Sequence, residues 1–311
     1  MLSLLLAGSG YMGREYAKVL GAMNLNFHVV GRSKESTEKF KQETGIPVAS
    51  GGIENWLRYN PVPKKAIVAV TEDQLGVAAK ALINAGCKQI LVEKPGGLNA
   101  KDIKEVANLA KNKKAKVYVG YNRRFYASTQ KALEIIEKEG ILSFNFDFTE
   151  RSYVIKGLNQ SDKIKNNWFL QNSSHVIDMA FFMGGWPIKI SAYKEGKLRW
   201  HPFGAVYAGA GISDKGALFS YHANWKSVGK WSVEIMTNKS RLIFRPLEKL
   251  QIQKYGSMNI GDFPLDDELD IKFKPGLYKQ VESFLKNKKS LFTIEDQVRH
   301  LKHYAQIQKN I

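Results

Sequence analysis

Short apolar runs alternate with amphipathic segments over the first 120 residues, and this alternation predicts strands that alternate with helices. The apolar runs are continuous, which is typical of a parallel sheet with helices covering both faces. The predicted strands cover residues 2–6, 27–30, 46–49, 66–70, 89–92 and 117–120. The predicted helices between them cover residues 12–23, 34–43, 74–85 and 100–111.

Beyond residue 120 the strands acquire one polar face. Phe144, Phe146 and Phe148 alternate with polar residues, which indicates a strand that is buried on one side only. Further strands are predicted over residues 188–194, 205–212, 217–224, 231–237 and 241–244, helices over 128–139, 173–183, 277–286 and 294–308, and a long polar loop over 156–167. This half is therefore predicted to be an α+β domain with a large open, mostly antiparallel sheet.

The composition is that of an ordinary globular protein, with 44% hydrophobic residues. The single cysteine, Cys87, excludes a disulfide framework within the chain. The apolar run at residues 1–8 has no basic residue before it and is too short to span a bilayer. We therefore expect a cytoplasmic protein without a membrane partner.

The net charge of +18 raises the question of an anionic partner. The lysines are scattered, however, and the densest basic runs, at residues 111–116 and 286–289, fall where helices are predicted to end. Cations at those positions complement the helix dipole. Since no run interleaves basic and aromatic residues, we expect a small-molecule substrate and no nucleic acid.

A glycine-rich turn joins the first predicted strand to the first helix. It fits the pattern G-x-G-x-x-G with the residues Gly8, Ser9, Gly10, Tyr11, Met12 and Gly13. In this context Gly8 permits the tight turn, Gly10 lets the backbone approach a pyrophosphate, and Gly13 lets helix and strand pack closely. The pattern predicts a doubly wound, dinucleotide-binding Rossmann domain over residues 1–120, followed by the second domain over residues 121–311.

The residues after the second strand bear on the choice of dinucleotide. NAD-binding sites usually have an acidic residue about 20 residues beyond the glycines, which binds the ribose 2′-hydroxyl. Here Gly31, Arg32 and Ser33 follow the strand, and the first carboxylate is Glu35. A guanidinium and a hydroxyl suit a 2′-phosphate, so we expect NADP(H) to be favoured over NAD(H). In the alternative reading, Ser33 only caps the next helix and Arg32 is a surface residue.

Four further motifs carry a resemblance to a known family. Glu93-Lys94-Pro95-Gly96 follows a strand, and the others are the run at residues 120–125, the run at 174–178, and the start of the last helix at 291–296. With the glycine turn, this series resembles the Gfo/Idh/MocA oxidoreductases, named for glucose–fructose oxidoreductase, inositol dehydrogenase and rhizopine catabolism. The resemblance implies a nicotinamide and a sugar that meet between the two domains, and a homo-oligomer, a dimer or tetramer, in which another subunit covers the open sheet.

The resemblance also implies roles for individual residues. Lys94 matches the catalytic lysine, which hydrogen-bonds the reacting oxygen, and Pro95 is expected to follow a cis peptide bond. Glu93 orients Lys94 or contacts the nicotinamide side. His175 matches a histidine that binds substrate or transfers a proton. Thr71, which follows the fourth strand, is placed on the cofactor side.

The substrate residues depart from the family pattern. Gln171 stands where many members have an aspartate, and Ser173 stands where they have a glycine. Gln171 cannot act as a base, so proton transfer is expected to rest on Lys94 and His175. The candidate substrate-binding residues are Lys94, Arg123, Gln171, Asn172 and His175.

Three charged residues have a structural interpretation, which for the two arginines is one of two alternatives. Arg123 and its neighbour Arg124 bind an anionic group or form a salt bridge. Asp178 shares a helix face with His175 and is expected to be structural. No spacing of His, Cys, Asp or Glu indicates a metal site.

The leading hypothesis is an oxidoreductase that transfers a hydride between nicotinamide and a hydroxyl or carbonyl carbon of a sugar, polyol or nucleotide-sugar. The alternative is a non-catalytic protein of the same fold that senses the dinucleotide, since Gln171 leaves the family's set of polar groups incomplete. A nucleic-acid-binding protein ranks last, because no motif beyond the charge supports it.

Overall fold

The computed structural model describes residues 4–286 and 291–309. Residues 2–3 of the first predicted strand and residues 287–289 of the predicted basic run lie outside these ranges. The chain folds into two compact units. The first contains the residues up to Tyr121 together with Lys272–Leu301, and the second contains Asn122–Ile271 and the residues from Lys302 onward. The sequence-based boundaries had placed all of residues 121–311 in the second domain.

The strands are β1 (Leu4–Ala7), β2 (His28–Val30), β3 (Val48–Ala49), β4 (Lys65–Val68), β5 (Gln89–Glu93), β6 (Lys116–Gly120), β7 (Ile141–Asp147), β8 (Pro187–Glu195), β9 (Val206–Ser213), β10 (Leu218–Asn224), β11 (Ser232–Thr237), β12 (Ser240–Phe244), β13 (Gln251–Lys254) and β14 (Ile260–Asp262).

The helices are α1 (Tyr11–Ala22), α2 (Lys34–Thr44), α3 (Gly52–Tyr59), α4 (Leu75–Ala85), α5 (Ala100–Asn112), α6 (Ala127–Glu139), α7 (Ser152–Lys156), α8 (Asp162–Asn166), α9 (Ser174–Gly184), α10 (Glu268–Lys272), α11 (Leu277–Leu285) and α12 (Ile294–Lys309).

The sheet of the first unit is parallel, with the strand order β3-β2-β1-β4-β5-β6. This is the doubly wound Rossmann order, and the direction of strand addition reverses between β1 and β4. Because the strands are parallel, their carboxyl ends lie at one edge of the sheet. Ligands of such sheets bind outside that edge at the point of reversal. The predicted fold of this half is confirmed.

The sheet of the second unit has the order β14-β13-β12-β11-β7-β10-β9-β8. Its described pairs are antiparallel except for β7 and β10, which run parallel. Phe144 and Phe146 of β7 pack against Phe181 of α9, with ring centroids 6.0 and 5.3 Å apart. Gly184 at the end of α9 allows this approach, because a Cβ there would lie 2.4 Å from the Phe144 ring. The predicted large, mostly antiparallel sheet is confirmed.

One local prediction was wrong, and several local elements were not predicted. The predicted loop over 156–167 contains α8, and α7 ends at its first residue. The helix predicted from residue 173 is preceded by a π-helical turn over Phe169–Ser173. Helix α3 was not predicted, although Ile53, Trp56 and Leu57 have helical spacing. The short elements β13, β14 and α10 were also not predicted.

Within residues 4–286 and 291–309, no helix combines the length and the apolar character that crossing a membrane requires.

Candidate functional site

The glycine turn after β1 has the geometry that a dinucleotide requires. Gly8 has φ +130°, and a Cβ there would lie 2.1 Å from the carbonyl oxygen of Ala69. A Cβ on Gly13 would lie 2.1 Å from the carbonyl oxygen of Gly8. Gly10 is the N-cap of α1, and no atom lies within 4 Å of where its Cβ would be. The turn is therefore closed where the chain packs on itself and open where a pyrophosphate would approach.

The start of α1 supplies hydrogen-bond donors to this open side. The helix has no acidic residue in its first turn, and no side chain caps its N-terminus. Its first backbone N–H groups have no intrahelical acceptors and suit an anion. Ser9 is buried, with its Oγ 2.9 Å from the Oγ of Ser36, whereas Tyr11 is exposed and Met12 is half-buried.

The carboxyl end of β2 is shaped by Gly31, which is buried, and by the exposed residues that follow it. A Cβ on Gly31 would lie 2.3 Å from the Oγ of Ser9 and 2.4 Å from Cγ2 of Thr37, so no side chain fits at this position. Arg32 and Ser33 are exposed beside it. Ser33 also caps α2, since its Oγ accepts a hydrogen bond from the backbone N–H of Ser36 at 3.2 Å. The capping reading of Ser33 is confirmed, and the guanidinium of Arg32 remains accessible to a ligand.

Two more predicted cofactor positions follow the next strands of the same edge. Thr71 is exposed and follows β4. Glu93 is the last residue of β5, and Lys94, which is half-buried, comes directly after it. The peptide bond between Lys94 and Pro95 is cis, as the resemblance implied.

A buried chain of hydrogen bonds ends on the Glu93 carboxylate. Nε2 of Gln280 donates to the Tyr16 hydroxyl at 2.9 Å, and this hydroxyl donates to Oε1 of Glu93 at 2.7 Å. A Cβ on Gly120 would lie 3.4 Å from both Nε2 of Gln280 and the Tyr16 hydroxyl oxygen, so the absence of a side chain leaves room for the pair. Sequence reasoning missed Tyr16 and Gln280, which are 264 residues apart. These two hydrogen bonds fix the position of the Glu93 carboxylate next to Lys94.

The burial of Glu93 has a consequence for stability. Desolvation raises the pKa of this carboxyl, while the Tyr16 hydrogen bond and the Lys94 and Lys274 cations oppose the rise. In the range from the ordinary glutamate pKa up to the raised one, the folded state binds more protons than the unfolded chain. The free energy of unfolding therefore falls as the pH rises through this range, and the loss is complete above it.

Glu93→Gln is expected to flatten this pH dependence, because the amide cannot titrate. The free energy of unfolding should be measured by urea titration from the ordinary glutamate pKa to neutral pH. Glu54→Gln, which changes an exposed carboxylate of α3, is the matched control and should follow the unmodified protein. Parallel pH curves for Glu93→Gln and the unmodified protein would contradict the assignment.

The second unit contains a buried ion pair beside the His175 helix. Nε and Nη2 of Arg124 donate to the two carboxylate oxygens of Asp178 at 2.8 and 2.7 Å. Both side chains are buried, and the Arg124 guanidinium lies 4.5 Å from the centre of the Phe182 ring. Arg124 therefore forms the salt bridge that the sequence analysis left open, and Asp178 has the structural role that was expected of it.

Arg123 has different surroundings. Its guanidinium carbon lies 5.1 Å from the centre of the Trp231 ring and 5.9 Å from that of Tyr126. Its Nε is buried and has no hydrogen-bond partner among the described residues. The His175 ring centroid lies 6.3 Å from that of Trp231, so both side chains contact the same indole. This part of the second unit therefore brings together a cation, a histidine and the face of an aromatic ring.

The residues before His175 are organised by a carboxylate that sequence reasoning missed. Glu150 is buried, and its two oxygens accept hydrogen bonds from Nδ2 of Asn172 at 3.1 and 3.0 Å. The Ser173 hydroxyl donates to Oε1 of Glu150 at 2.7 Å. Since the Asn172 amide nitrogen is held by Glu150, its oxygen is the atom available to accept a hydrogen bond from a ligand. Gln171 and His175 are both buried in this segment.

The doubly wound sheet with its glycine turn defines a dinucleotide-binding protein of the Rossmann class. Residues 2–121 match the family model GFO_IDH_MocA, described as an oxidoreductase family with an NAD-binding Rossmann fold. The resemblance read from the sequence is therefore confirmed over these residues.

Similarity to individual proteins extends over different parts of the chain. The trans-1,2-dihydrobenzene-1,2-diol dehydrogenase of Mus musculus is 26% identical over 135 residues, a match that spans 42% of this chain and only 40% of the mouse protein. A levoglucosan dehydrogenase in complex with NADH and L-sorbose has a TM-score of 0.77 at 17% identity, covering 99% of this chain and 96% of its own. The WlbA dehydrogenase of Bordetella pertussis, in complex with NADH and UDP-GlcNAcA, has a TM-score of 0.74 at 15% identity, covering 98% and 94%. At these identities the two structures show that the fold of both units is shared.

Proposed function

We propose that this chain is an NADP(H)-preferring oxidoreductase that transfers a hydride between nicotinamide and a hydroxyl or carbonyl carbon of a sugar, polyol or nucleotide-sugar. One observation carries the proposal. The candidate residues follow one sheet edge in the order of the parts of a dinucleotide: Arg32 after β2, the glycine turn after β1, Thr71 after β4, and Lys94 after β5. Adjacent strands are about 4.8 Å apart, so β2 and β5 are separated by about 15 Å, which suits an extended dinucleotide.

Each part of the edge has a role in holding the cofactor. Arg32 and Ser33 would bind the 2′-phosphate, and the backbone N–H groups at the start of α1 would bind the pyrophosphate. Thr71 and Glu93 would lie on the nicotinamide side. When bound, the cofactor supplies the two-electron acceptor for the hydride of a C–H bond.

Residues of the protein would accept the proton of the reacting hydroxyl and return it in the reverse reaction. As the carbon gives up its hydride, the oxygen would give up its proton to the Lys94 amine, and a carbonyl would form. In the reverse direction the protonated group returns the proton to the oxygen. Such general acid–base catalysis contributes about 10²–10⁴-fold to a rate. Asn172, whose amide nitrogen is held by Glu150, would accept a hydrogen bond from a second hydroxyl of the substrate.

The cofactor preference is tested by fluorescence titration of the protein with NADPH and, separately, with NADH. NADPH is expected to bind more tightly. Arg32→Ala should weaken NADPH binding by about tenfold or more, since a hydrogen bond to a charged group contributes about 1.5–3 kcal/mol. The affinity for NADH should stay the same.

Arg58→Ala is the matched control, because Arg58 is an exposed arginine on α3 of the same unit. It should leave both affinities unchanged. Tighter binding of NADH by the unmodified protein would contradict the proposed preference, and the absence of binding by either dinucleotide would contradict the proposed function as a whole.

A second candidate is a non-catalytic dinucleotide sensor of the same fold. It is favoured by Gln171, which is buried where the family pattern has an aspartate and cannot accept a proton. It predicts cofactor binding without turnover. Turnover by the unmodified protein, and the loss of that turnover in a Lys94→Ala variant, separate the two candidates.

A further inference from the structure

The run Arg123-Arg124 places two guanidinium groups side by side in sequence but in different chemical environments. Arg124 is neutralised by a two-point ion pair with Asp178. Among the described residues, no carboxylate forms an ion pair with Arg123, and its Nε is withdrawn from solvent without an acceptor. A cation in partly desolvated surroundings is costly when nothing compensates it. The positive charge of Arg123 is therefore not balanced by a described carboxylate and suits an anionic ligand.

The two rings around Arg123 hold the guanidinium in place without consuming its hydrogen bonds. Tyr126 and Trp231 both lie within cation–π distance of the guanidinium carbon. A guanidinium is planar and has its N–H donors in its own plane, where a carboxylate or phosphate can accept two of them. The guanidinium is therefore preorganised to bind an anion, and we call this arrangement of Arg123, Tyr126 and Trp231 the anion receptor.

The position of this receptor connects it to the candidate substrate site. The Trp231 ring that Arg123 contacts also contacts the ring of His175, the candidate substrate-binding histidine. A ligand whose hydroxyl reaches His175 could therefore place an anionic group against Arg123 in the same unit.

We propose that Arg123, whose guanidinium lies within cation–π distance of Trp231 and Tyr126, binds an anionic substituent, a carboxylate or a phosphate, of the sugar substrate. The proposal rests on the proposed function, since it names the substrate class of the same site. Under this proposal the substrate is an acidic or phosphorylated sugar and not a neutral sugar or polyol.

The test is a calorimetric titration of the whole protein, with and without NADP⁺, using four probes: glucose, glucuronate, glucose 6-phosphate and UDP-glucose. At least one charged probe is expected to bind tenfold or more tightly than glucose, with an affinity that falls as salt is added. Glucuronate isolates the carboxylate, glucose 6-phosphate the monoester, and UDP-glucose the diphosphate, so the preferred probe identifies the source of the anion.

Arg123→Met should remove the preference for the charged probe while leaving NADPH binding unchanged. Arg199→Met is the matched control, because it removes the same charge from an exposed position of the same unit. It should keep the preference. Arg123→Lys should recover only part of it, since an ammonium cannot form the two parallel hydrogen bonds. Equal binding of all four probes, or a preference that survives in Arg123→Met, would overturn the proposal. Failure of the proposed function would appear separately, as loss of NADPH binding by the unmodified protein.

Discussion

Lys94→Ala is expected to lower turnover by about 10²–10⁴-fold, the usual contribution of a positioned acid–base group. The methyl side chain can neither hydrogen-bond the reacting oxygen nor exchange a proton with it. The glycine turn and Arg32 do not depend on Lys94, so NADPH binding should survive. The measurement is kcat with the preferred substrate, together with the dissociation constant for NADPH from fluorescence titration.

The matched control is Lys104→Ala, which removes an exposed lysine of α5 from the same unit. It should retain full turnover. A Lys94→Ala variant that keeps its kcat would show that Lys94 is not catalytic. If the unmodified protein binds NADPH but turns over no sugar, polyol or nucleotide-sugar, the sensor candidate replaces the enzyme.

Arg124→Met is expected to lower the free energy of unfolding by about 3–5 kcal/mol, the cost of leaving a buried charge without its partner. Asp178 is fully buried, with 0% exposure. Burial raises the pKa of its carboxyl, and the Arg124 guanidinium opposes that rise. Without Arg124 the carboxylate must either stay charged in a poor environment or take up a proton. Urea titration at neutral pH measures the loss.

Two variants check the physical reason for this loss. Combining Arg124→Met with Asp178→Leu should recover much of the stability, because no buried charge then remains. Arg241→Met breaks an ion pair with Glu234 whose side chains are 45% and 22% exposed, so a loss of no more than about 1 kcal/mol is expected. If Arg124→Met costs no more than Arg241→Met, the pair is not a structural anchor of this unit.

The fold was predictable wherever a segment carried its own periodic signal. The continuous apolar strands and the glycine turn indicated the first sheet, and the alternating Phe144 and Phe146 indicated the second. The missed strands β13 and β14 have few buried residues, so the alternation of apolar and polar positions is weak there. The parallel pairing of β7 with β10 was also not predictable, because register depends on partners that are distant in sequence.

The candidate site was predictable only where residues cluster in the chain. The glycine turn, Lys94 and His175 stand in recognisable motifs, and the structure places them at strand and helix ends. Glu150 has no motif, and it meets Asn172, which is 22 residues further along the chain and lies in the π-helical turn. Gln280 reaches Tyr16 from a helix near the end of the chain. Such contacts arise from tertiary packing and leave no local pattern.

The return of Lys272–Leu301 to the first unit has a consequence for how the chain is made. The polypeptide passes between the two units after Tyr121, after Ile271 and after Leu301, so neither unit is one continuous stretch. On a ribosome that synthesises about 5–20 residues per second, the Rossmann sheet emerges early, but its last helices emerge only after Asn122–Ile271 has been made. During that interval Tyr16 lacks Gln280, and Tyr121 lacks Phe292, whose ring centroid is 5.6 Å from its own in the finished fold. The nascent nucleotide-binding unit can therefore complete its core only after the intervening residues of the second unit have been synthesised.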